Sequence, residues 1–545
     1  MGDDMTAVDD RESSPAVPAS PLVSRSQARW SGALAAAVAL AVGELVSSLG
    51  GTDQSLIASV GTSFIDQFAG ALKEIAIAIF GTSDKAALIV GIVLISLALG
   101  AALGTASVRR PWVGLAGFTA FGLLGLVAGA LDEQASTPRS AVAAVAAAAA
   151  GIATLFLLLR VAGSRTGLPM TTTRTLESPT DPAASRRSFF GWAGAAGAFA
   201  VGVTVLGRAL GGQSKAALAR EAVVLPQATN AANPGTVGPS GTVLTGETLG
   251  IDGLTPYYVP NGEFYRIDTS LLVPEVDPAT WSLSIGGMVD NPFQLTYDDI
   301  LAMPQIEESV TLSCVSNDVG GDLVGNAVWQ GVPLGVLLER AGVQDGATQL
   351  VGKSVDGWTG GFPTELATDG RVAMLAVGMN GEPLPIEHGF PARLVISGLY
   401  GYVSATKWIS DITLTGWEDF DGYWINKGWA KEGPVKTQSR IDVPRAATPL
   451  QSGPTKIAGV AWAPNTGIAK VEVQIDGGEW YEARLGDVVG NGTWVQWVLD
   501  WDAPAGDHDI QVRATDAGGV TQTEERTPVA PDGASGWHAR SVTVS

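Results

Sequence analysis

Cysteine and histidine are almost missing from this 545-residue chain, which holds one Cys and three His. A single thiol forbids any intrachain disulfide, so ordinary burial of apolar surface must hold the fold together. These few ligands cannot build a Cys/His zinc cage or a four-Cys iron–sulfur site. The His residues stand at 388, 508 and 538, so none lies among the earlier apolar runs where it could ligate a haem. Basic side chains are also scarce, 33 against 54 acidic ones, for a net charge of −21. Nucleic acid is not an expected partner, because binding it needs clustered cations on phosphates. Yet mean hydropathy is +0.22. An acidic chain with positive hydropathy reads as an apolar membrane part joined to an acidic, water-facing part.

The order of segments supports that division. Residues 1–28 are polar and Pro/Ser-containing and read as a disordered cytoplasmic N-terminus. A membrane domain follows over 29–163, with spans near 29–49, 86–104, 112–131 and 141–163. The run 55–81 contains Asp66, Lys73 and Glu74, and reads as an amphipathic or re-entrant piece outside the membrane. A cytoplasmic linker, 164–188, leads into a fifth span at 189–210. Arg25, Arg29, Arg109, Arg110, Arg160, Arg165, Arg174, Arg186 and Arg187 then all fall on one side, which the positive-inside rule makes cytoplasmic. The fifth span opens SRRSFFGWAGAAGAFAVGVTVLG, which resembles a twin-arginine export signal retained as an anchor. The C-terminal half is thereby expected outside the cytoplasmic membrane.

Residues 211–250 are rich in Gly, Ala, Pro and Thr and read as a flexible linker. From 251 to 435, strand-like runs (WSLSIGGMV, ESVTLSCV) alternate with helix-like ones (TYDDILAMP, PLGVLLERAG), as in a mixed α/β domain. From 436 to 545 the pattern turns all-β, with alternating runs between Gly/Asp/Pro turns, as in an Ig-like sandwich. The expected fold class is multi-domain: about five membrane spans, a mixed α/β domain, then an all-β sandwich.

The lone thiol, Cys314, stands next to last in the run SVTLSCV, just ahead of a Gly/Asn/Asp loop. Three readings stand. It is a small buried hydrophobe, a nucleophile that needs one of the three His nearby, or a soft metal ligand whose co-ligands come from a cofactor.

At this point the chain resembles the sulfite oxidase family of molybdopterin enzymes, over about residues 251–545. The resemblance rests on TPYYVPNGEFYRID (255–268), LSCVSN (312–317), NAVWQGVPLGVLL (326–338), MNGEPLPIEHGFPARLVISGLYG (379–401) and ATKWIS (405–410), in that order, and on the closing GWHARSVTV. It implies a molybdopterin cofactor whose molybdenum is ligated by Cys314, oxygen-atom transfer, and an Ig-like dimerisation domain at 436–545. It implies pterin contacts at Asn261, Phe264, Tyr265, Arg266, Asn317, Asp356, His388, Arg393 and Lys407. It also places Trp329 and Trp429 with Cys314 as catalytic-pocket residues. No haem or iron–sulfur cluster is expected. The expected partners are a small-molecule substrate, an electron donor or acceptor, membrane lipid and a second copy of the chain.

The match departs from sulfite-oxidising members at the substrate. Their arginines fall here on Ile267, beside Arg266, and on Val319, beside Asp318; their tyrosine falls on Trp429. A pocket stripped of cations leaves a dianion's desolvation uncompensated, so sulfite is not the expected main substrate. Trp358, Trp417, Trp424 and Trp429 suit an aromatic entrance for a neutral or cationic molecule. Two alternatives remain: a sulfoxide or N-oxide reductase at the same centre, and a cofactor-free Ig-like receptor or adhesion protein.

Overall fold

The computed structural model describes residues 23–49, 54–67, 84–163, 182–210, 215–230, 249–445 and 449–545. Most of the expected disordered N-terminus, the second half of the 55–81 run and most of the 164–188 linker lie outside them. Among the described residues the N-terminal part contains α1 (Arg25–Ser48), α2 (56–67), α3 (Asp84–Ser107), α4 (Pro111–Leu131), α5 (Thr137–Val161) and α6 (Pro182–Leu210). Ser24 and Gln27 close a capping box on α1, and Pro occupies the first turn of α4 and α5, where a missing N–H costs nothing. Among the described residues, four helices, within α1, α3, α4 and α5, are long and apolar enough to cross a membrane. In α6, the described apolar portion is the shorter Ser188–Gly202. The side chains of Arg186 and Arg187 lie outside the description.

The helices meet through small residues. A Cβ on Gly32 would strike the Gly100 carbonyl, and one on Gly104 the Ala28 carbonyl, so α1 and α3 pack backbone to backbone. In lipid, where apolar side chains gain little by leaving solvent, such close approach supplies the van der Waals contact that holds helices together.

Part of the expected linker is ordered. Residues 215–222 form α7 (Lys215–Ala222), and 223–230 continue as an extended strap on the following domain. Arg220 donates to the carbonyls of Pro383 and Leu384, Thr229 N–H to Gln305 O at 2.8 Å, and Asn230 Nδ2 to Glu307 O at 2.9 Å. Polar side chains that read as linker composition serve here as backbone partners.

The next domain holds two five-stranded sheets. One runs in the order β2 (Phe293–Thr296), β1 (Ser282–Gly287), β10 (Ile409–Thr415), β5 (Gln349–Ser354), β6 (Thr359–Pro363), and only β1 and β10 pair in parallel. The other joins β3 (Ile306–Ser313), β4 (Val324–Pro333), β7 (Ala373–Met379) and β8 (Glu382–Pro383), with β9 (Arg393–Ile396) also on β7. Its helices are short: α8 (Tyr297–Ala302), α9 (Leu334–Ala341) and α10 (Gly401–Ser404). The domain mixes strands and helices as the sequence suggests, with the strands making up most of it. The run TYDDILAMP makes six helical residues, started by a Thr296–Asp299 capping box. The run PLGVLLERAG makes eight, stopped by Gly342 at φ +67.

The C-terminal part stacks two four-stranded sheets. These are β11 (Gln438–Val443), β12 (Gly453–Trp462), β16 (Val495–Ala503), β15 (Arg484–Leu485), and β14 (Trp480–Glu482), β13 (Ile468–Ile475), β17 (Gly506–Asp516), β18 (His538–Val544). Ile441, Ile457, Val471, Val473, Trp497, Ile510 and Val512 fill the space between them. Val460, Trp462 and Trp494 instead join the core of the preceding domain. Trp494 Nε1 donates to Tyr257 O at 2.9 Å, and Tyr257 OH to Thr493 Oγ1 at 2.8 Å.

Candidate functional site

Strand β3 ends at Ser313 and delivers Cys314 half-buried at the start of a loop. Cys314 N–H still donates to Leu323 O at 2.9 Å, and Ser316 N–H points at its Sγ at 3.4 Å. Asn317 folds the loop back: its N–H bonds Cys314 O at 3.1 Å and its Oδ1 accepts from Leu323 N at 2.9 Å. Gly320, at φ +82, lies directly against the His538 ring, where any Cβ would collide. Arg440 Nη1 donates to Gly321 O at 2.8 Å, so the C-terminal sandwich braces the loop from behind.

A second group of residues forms one contiguous cluster. Phe264 stacks on Tyr265, with ring centroids 5.2 Å apart, and meets the edges of Trp329 and His388 at 5.8 and 5.6 Å. The Arg393 guanidinium lies over Trp329 at 4.9 Å and donates to His388 O at 3.1 Å. His388 Nε2 bonds Asn261 O at 3.0 Å. A carbonyl only accepts, so the neutral ring carries its proton on Nε2. Gly389, at φ +113, lets Arg393 and Lys407 approach from either side: a Cβ there would sit 3.1 Å from each residue's Cβ. Tyr265 connects this cluster to the thiol, interacting electrostatically with both Cys314 and Arg393. Burial raises its phenol above the usual range.

Arg393 has no carboxylate partner among the described residues. It is 5% exposed, and burial lowers its pKa to about 10. Among the described residues its hydrogen-bond acceptors are two carbonyls, His388 O and Leu394 O. A buried charge answered only by carbonyls asks for an anion. Burial also lowers Lys407 to about 8, against the pull of Asp268, whose carboxylate it meets at 2.9 Å. Asp268 in turn binds Lys85 at 2.7 Å and Arg266 at 2.8 Å. Burial alone would raise its carboxyl, but Lys407, Lys85 and Arg266 hold it far below the ordinary range. Asp356 lies close to Asp268 and Lys407, and burial raises its pKa. Nδ2 of Asn317, 3% exposed, has no acceptor among the described residues.

Three expected site residues stand differently. Trp329 has no exposed surface, donates to Val310 O at 3.3 Å and lies beneath Arg393, so it is a floor for the guanidinium and offers no face to a substrate. The Asn261 side chain is taken up by Glu382, Met379 O and Asn380, and the residue reaches the cluster through its carbonyl. Trp429 packs on Tyr402 and Trp424, at 5.9 and 6.2 Å. Asp268, Lys85 and Tyr400, which interacts with Cys314, were not singled out from sequence. The one available signal was the acid two places after Arg266 in FYRID.

Burial first, then the Arg393 charge, lower His388 to about 4 from its ordinary 6.5. Between those values the unfolded chain holds more protons, so stability falls as pH drops from 6.5 towards 4, by up to roughly 1.4 kcal/mol per unit. His388→Gln is expected to flatten this slope, read as the thermal midpoint in detergent between pH 7 and 5. His538, also lowered to about 4, supplies the slope that remains.

The site falls within a recognisable sequence family. Residues 270–424 match the oxidoreductase molybdopterin binding domain, a range containing Cys314, Asn317, Asp356, His388, Arg393 and Lys407. An uncharacterized oxidoreductase of Bacillus subtilis, YuiH, is 37% identical over 159 residues, covering 29% of this chain and 76% of that protein. The mitochondrial sulfite oxidases of Macaca fascicularis and Homo sapiens are each 28% identical over 339 residues, 53% of this chain. The chain spans 60% of the length of those two enzymes. The sulfane dehydrogenase SoxCD of Paracoccus pantotrophus aligns in structure with a TM-score of 0.48 and 26% identity, over 54% of this chain and 84% of its own.

Proposed function

Because the chain belongs to the sulfite oxidase family of molybdopterin oxidoreductases, we propose that it is a membrane-anchored enzyme transferring an oxygen atom at a molybdenum centre ligated by Cys314. When bound, the cofactor supplies a metal that exchanges an oxygen atom with substrate and passes electrons singly. The protein supplies the setting. Cys314 offers a soft, half-exposed sulfur at a braced strand end. Arg393 and Lys407 offer cations for the pterin phosphate. His388, neutral and donating to Asn261 O, fixes the turn that carries them, and Phe264 and Tyr265 give an aromatic wall. Asn317 has a spare buried donor beside the thiol. The observation that carries the reading is Arg393, a buried cation with no carboxylate partner among the described residues, joined through Tyr265 to the partly buried Cys314.

The substrate reading excludes sulfite as the main one. Ile267 is 48% exposed and Val319 borders the Cys loop, where cations would be needed. Arg440, which reaches that loop, already pairs with Asp442 at 2.6 Å. A neutral substrate, oxidised or reduced according to the electron partner, suits these surroundings. No haem or iron–sulfur cluster belongs to this reading, given one Cys and no His before residue 388.

The catalytic part is read as lying outside the cytoplasmic membrane, following a fifth crossing in α6. Supporting this, α2, the start of α3 and the 132–134 loop all touch the catalytic domain. They share the face of the membrane domain opposite Arg109 and Arg110, whose charges mark the cytoplasmic side. Dimerisation through the C-terminal sandwich completes the reading.

The test is metal and pterin analysis of full-length protein from a pterin-competent host, beside sulfite turnover with an artificial acceptor. Near-stoichiometric molybdenum and slow, unsaturated sulfite oxidation are expected. Protein free of molybdenum overturns the cofactor reading, and fast saturable oxidation at low sulfite overturns the substrate reading.

A further inference from the structure

The cofactor site is walled on one side by the membrane domain. Lys85, at the outer end of α3, donates to Asp268 Oδ1 at 2.7 Å, to Ser270 O at 2.6 Å and to Asp268 O at 3.3 Å. Gln134, just past α4, donates to Ser270 Oγ at 3.2 Å. Its neighbour Glu133 pairs with Lys353 at 2.7 Å and lies against Gly357, which adjoins Asp356. Further along, Asp66 of α2 accepts from Tyr423 OH at 2.8 Å and, through its carbonyl, from Lys427 at 3.0 Å. The stretches bearing Asp268 and Asp356, which both interact with Lys407, are thus held from the membrane side.

We propose that the membrane domain contributes a positioning residue to the molybdopterin pocket: Lys85, acting through Asp268, sets the place of Lys407 for the pterin phosphate. This rests on the cofactor reading above and deepens it. Three cations, Lys85, Arg266 and Lys407, surround the single Asp268 carboxylate, whose side chain is 4% exposed. The three cations are not equivalent. Lys407 is the most buried, at 10% exposed, and Lys85 and Arg266 stand at 31% and 36%. Lys85 is also fixed by two backbone carbonyls, so little side-chain freedom remains to be lost when an anion arrives. Remove its charge, and Asp268 draws more fully on Lys407, so the phosphate meets a weaker field and a less strictly placed ammonium. Asp268 is thus a positioning residue, and the first turn of a membrane helix is part of a cofactor site outside the bilayer.

The test follows pterin release from full-length, loaded protein in detergent, by fluorescence of the freed pterin and by molybdenum per chain. Lys85→Gln is expected to speed release about tenfold, and Lys85→Arg to restore the wild-type rate. Lys427→Gln breaks a contact to Asp66 that does not involve Asp268, and is expected to leave release unchanged. Equal acceleration by Lys427→Gln would show that docking in general, not the Lys85–Asp268 link, retains the pterin, and overturns the proposal. So does wild-type release from a fully loaded Lys85→Gln protein, which leaves the cofactor reading standing. Wild-type protein without any pterin overturns the cofactor reading itself, and this proposal with it.

Discussion

Serine in place of Cys314 is expected to lower turnover on the order of 10²-fold or more while the pterin stays bound. The two side chains differ little in volume, and the surroundings tolerate the change. Cys314 is half-buried at a loop start, held by its backbone N–H to Leu323 O, and the contact of Ser316 N–H to its Sγ is long, at 3.4 Å. Stability should therefore move by less than about 1 kcal/mol. A hydroxyl is a hard, weakly acidic donor, and a thiolate a soft one, so the metal is affected far more than the fold. Pterin content, thermal midpoint and turnover, measured on one preparation, separate the effects. Wild-type turnover in the serine variant would remove Cys314 from the metal and return it to the role of a small apolar residue.

Arg393→Met should act in opposite directions on the empty and the loaded protein. In the empty protein, the guanidinium is a buried charge satisfied by two carbonyls, and it leans on the Trp329 ring. Methionine keeps the apolar stem and removes the desolvated charge. Stability of the empty protein is expected to hold or to rise by about 1–3 kcal/mol. The loaded protein loses a charge-assisted contact to the phosphate, and pterin affinity should fall by about 100-fold. Wild-type protein should melt higher when isolated from a pterin-competent host than from a deficient one, because a ligand specific to the native state stabilises it. In Arg393→Met that gap should shrink or close. A variant that melts lower in both hosts, with its pterin retained, would make Arg393 a structural cation instead.

The long apolar helices were legible because charge-free runs of about twenty residues leave few alternatives in sequence, and α1, α3, α4 and α5 fall where those runs are. The Cys314 loop and the His388–Arg393 turn were legible as motifs, since each packs its chemistry into a few neighbouring residues. Contacts that depend on separate segments meeting were not. Lys85 and Asp268 lie 183 positions apart, and nothing in an apolar run announces that its first lysine pairs with a distant carboxylate. Trp329 shows the reverse failure. Its position matched a pocket residue, but periodicity along β4 cannot tell a wall from a floor, and the strand is buried along nearly all its length. The strap at 223–230 was hidden by composition, because Pro, Asn and Thr look the same whether they bond to water or to a sheet edge.

That strap sets where a soluble fragment should begin. Cutting at 249, where the low-complexity stretch ends, would strip Val223 and Leu225 from the apolar core they cover. It would also leave Gln305 O without Thr229, and take Pro226 O from Gln330 Nε2, which it meets at 2.7 Å. A fragment starting at 215 keeps these partners and the Arg220–Glu382 pair at 3.0 Å. The better truncation point therefore lies ahead of α7, inside a stretch whose composition alone would mark it as expendable.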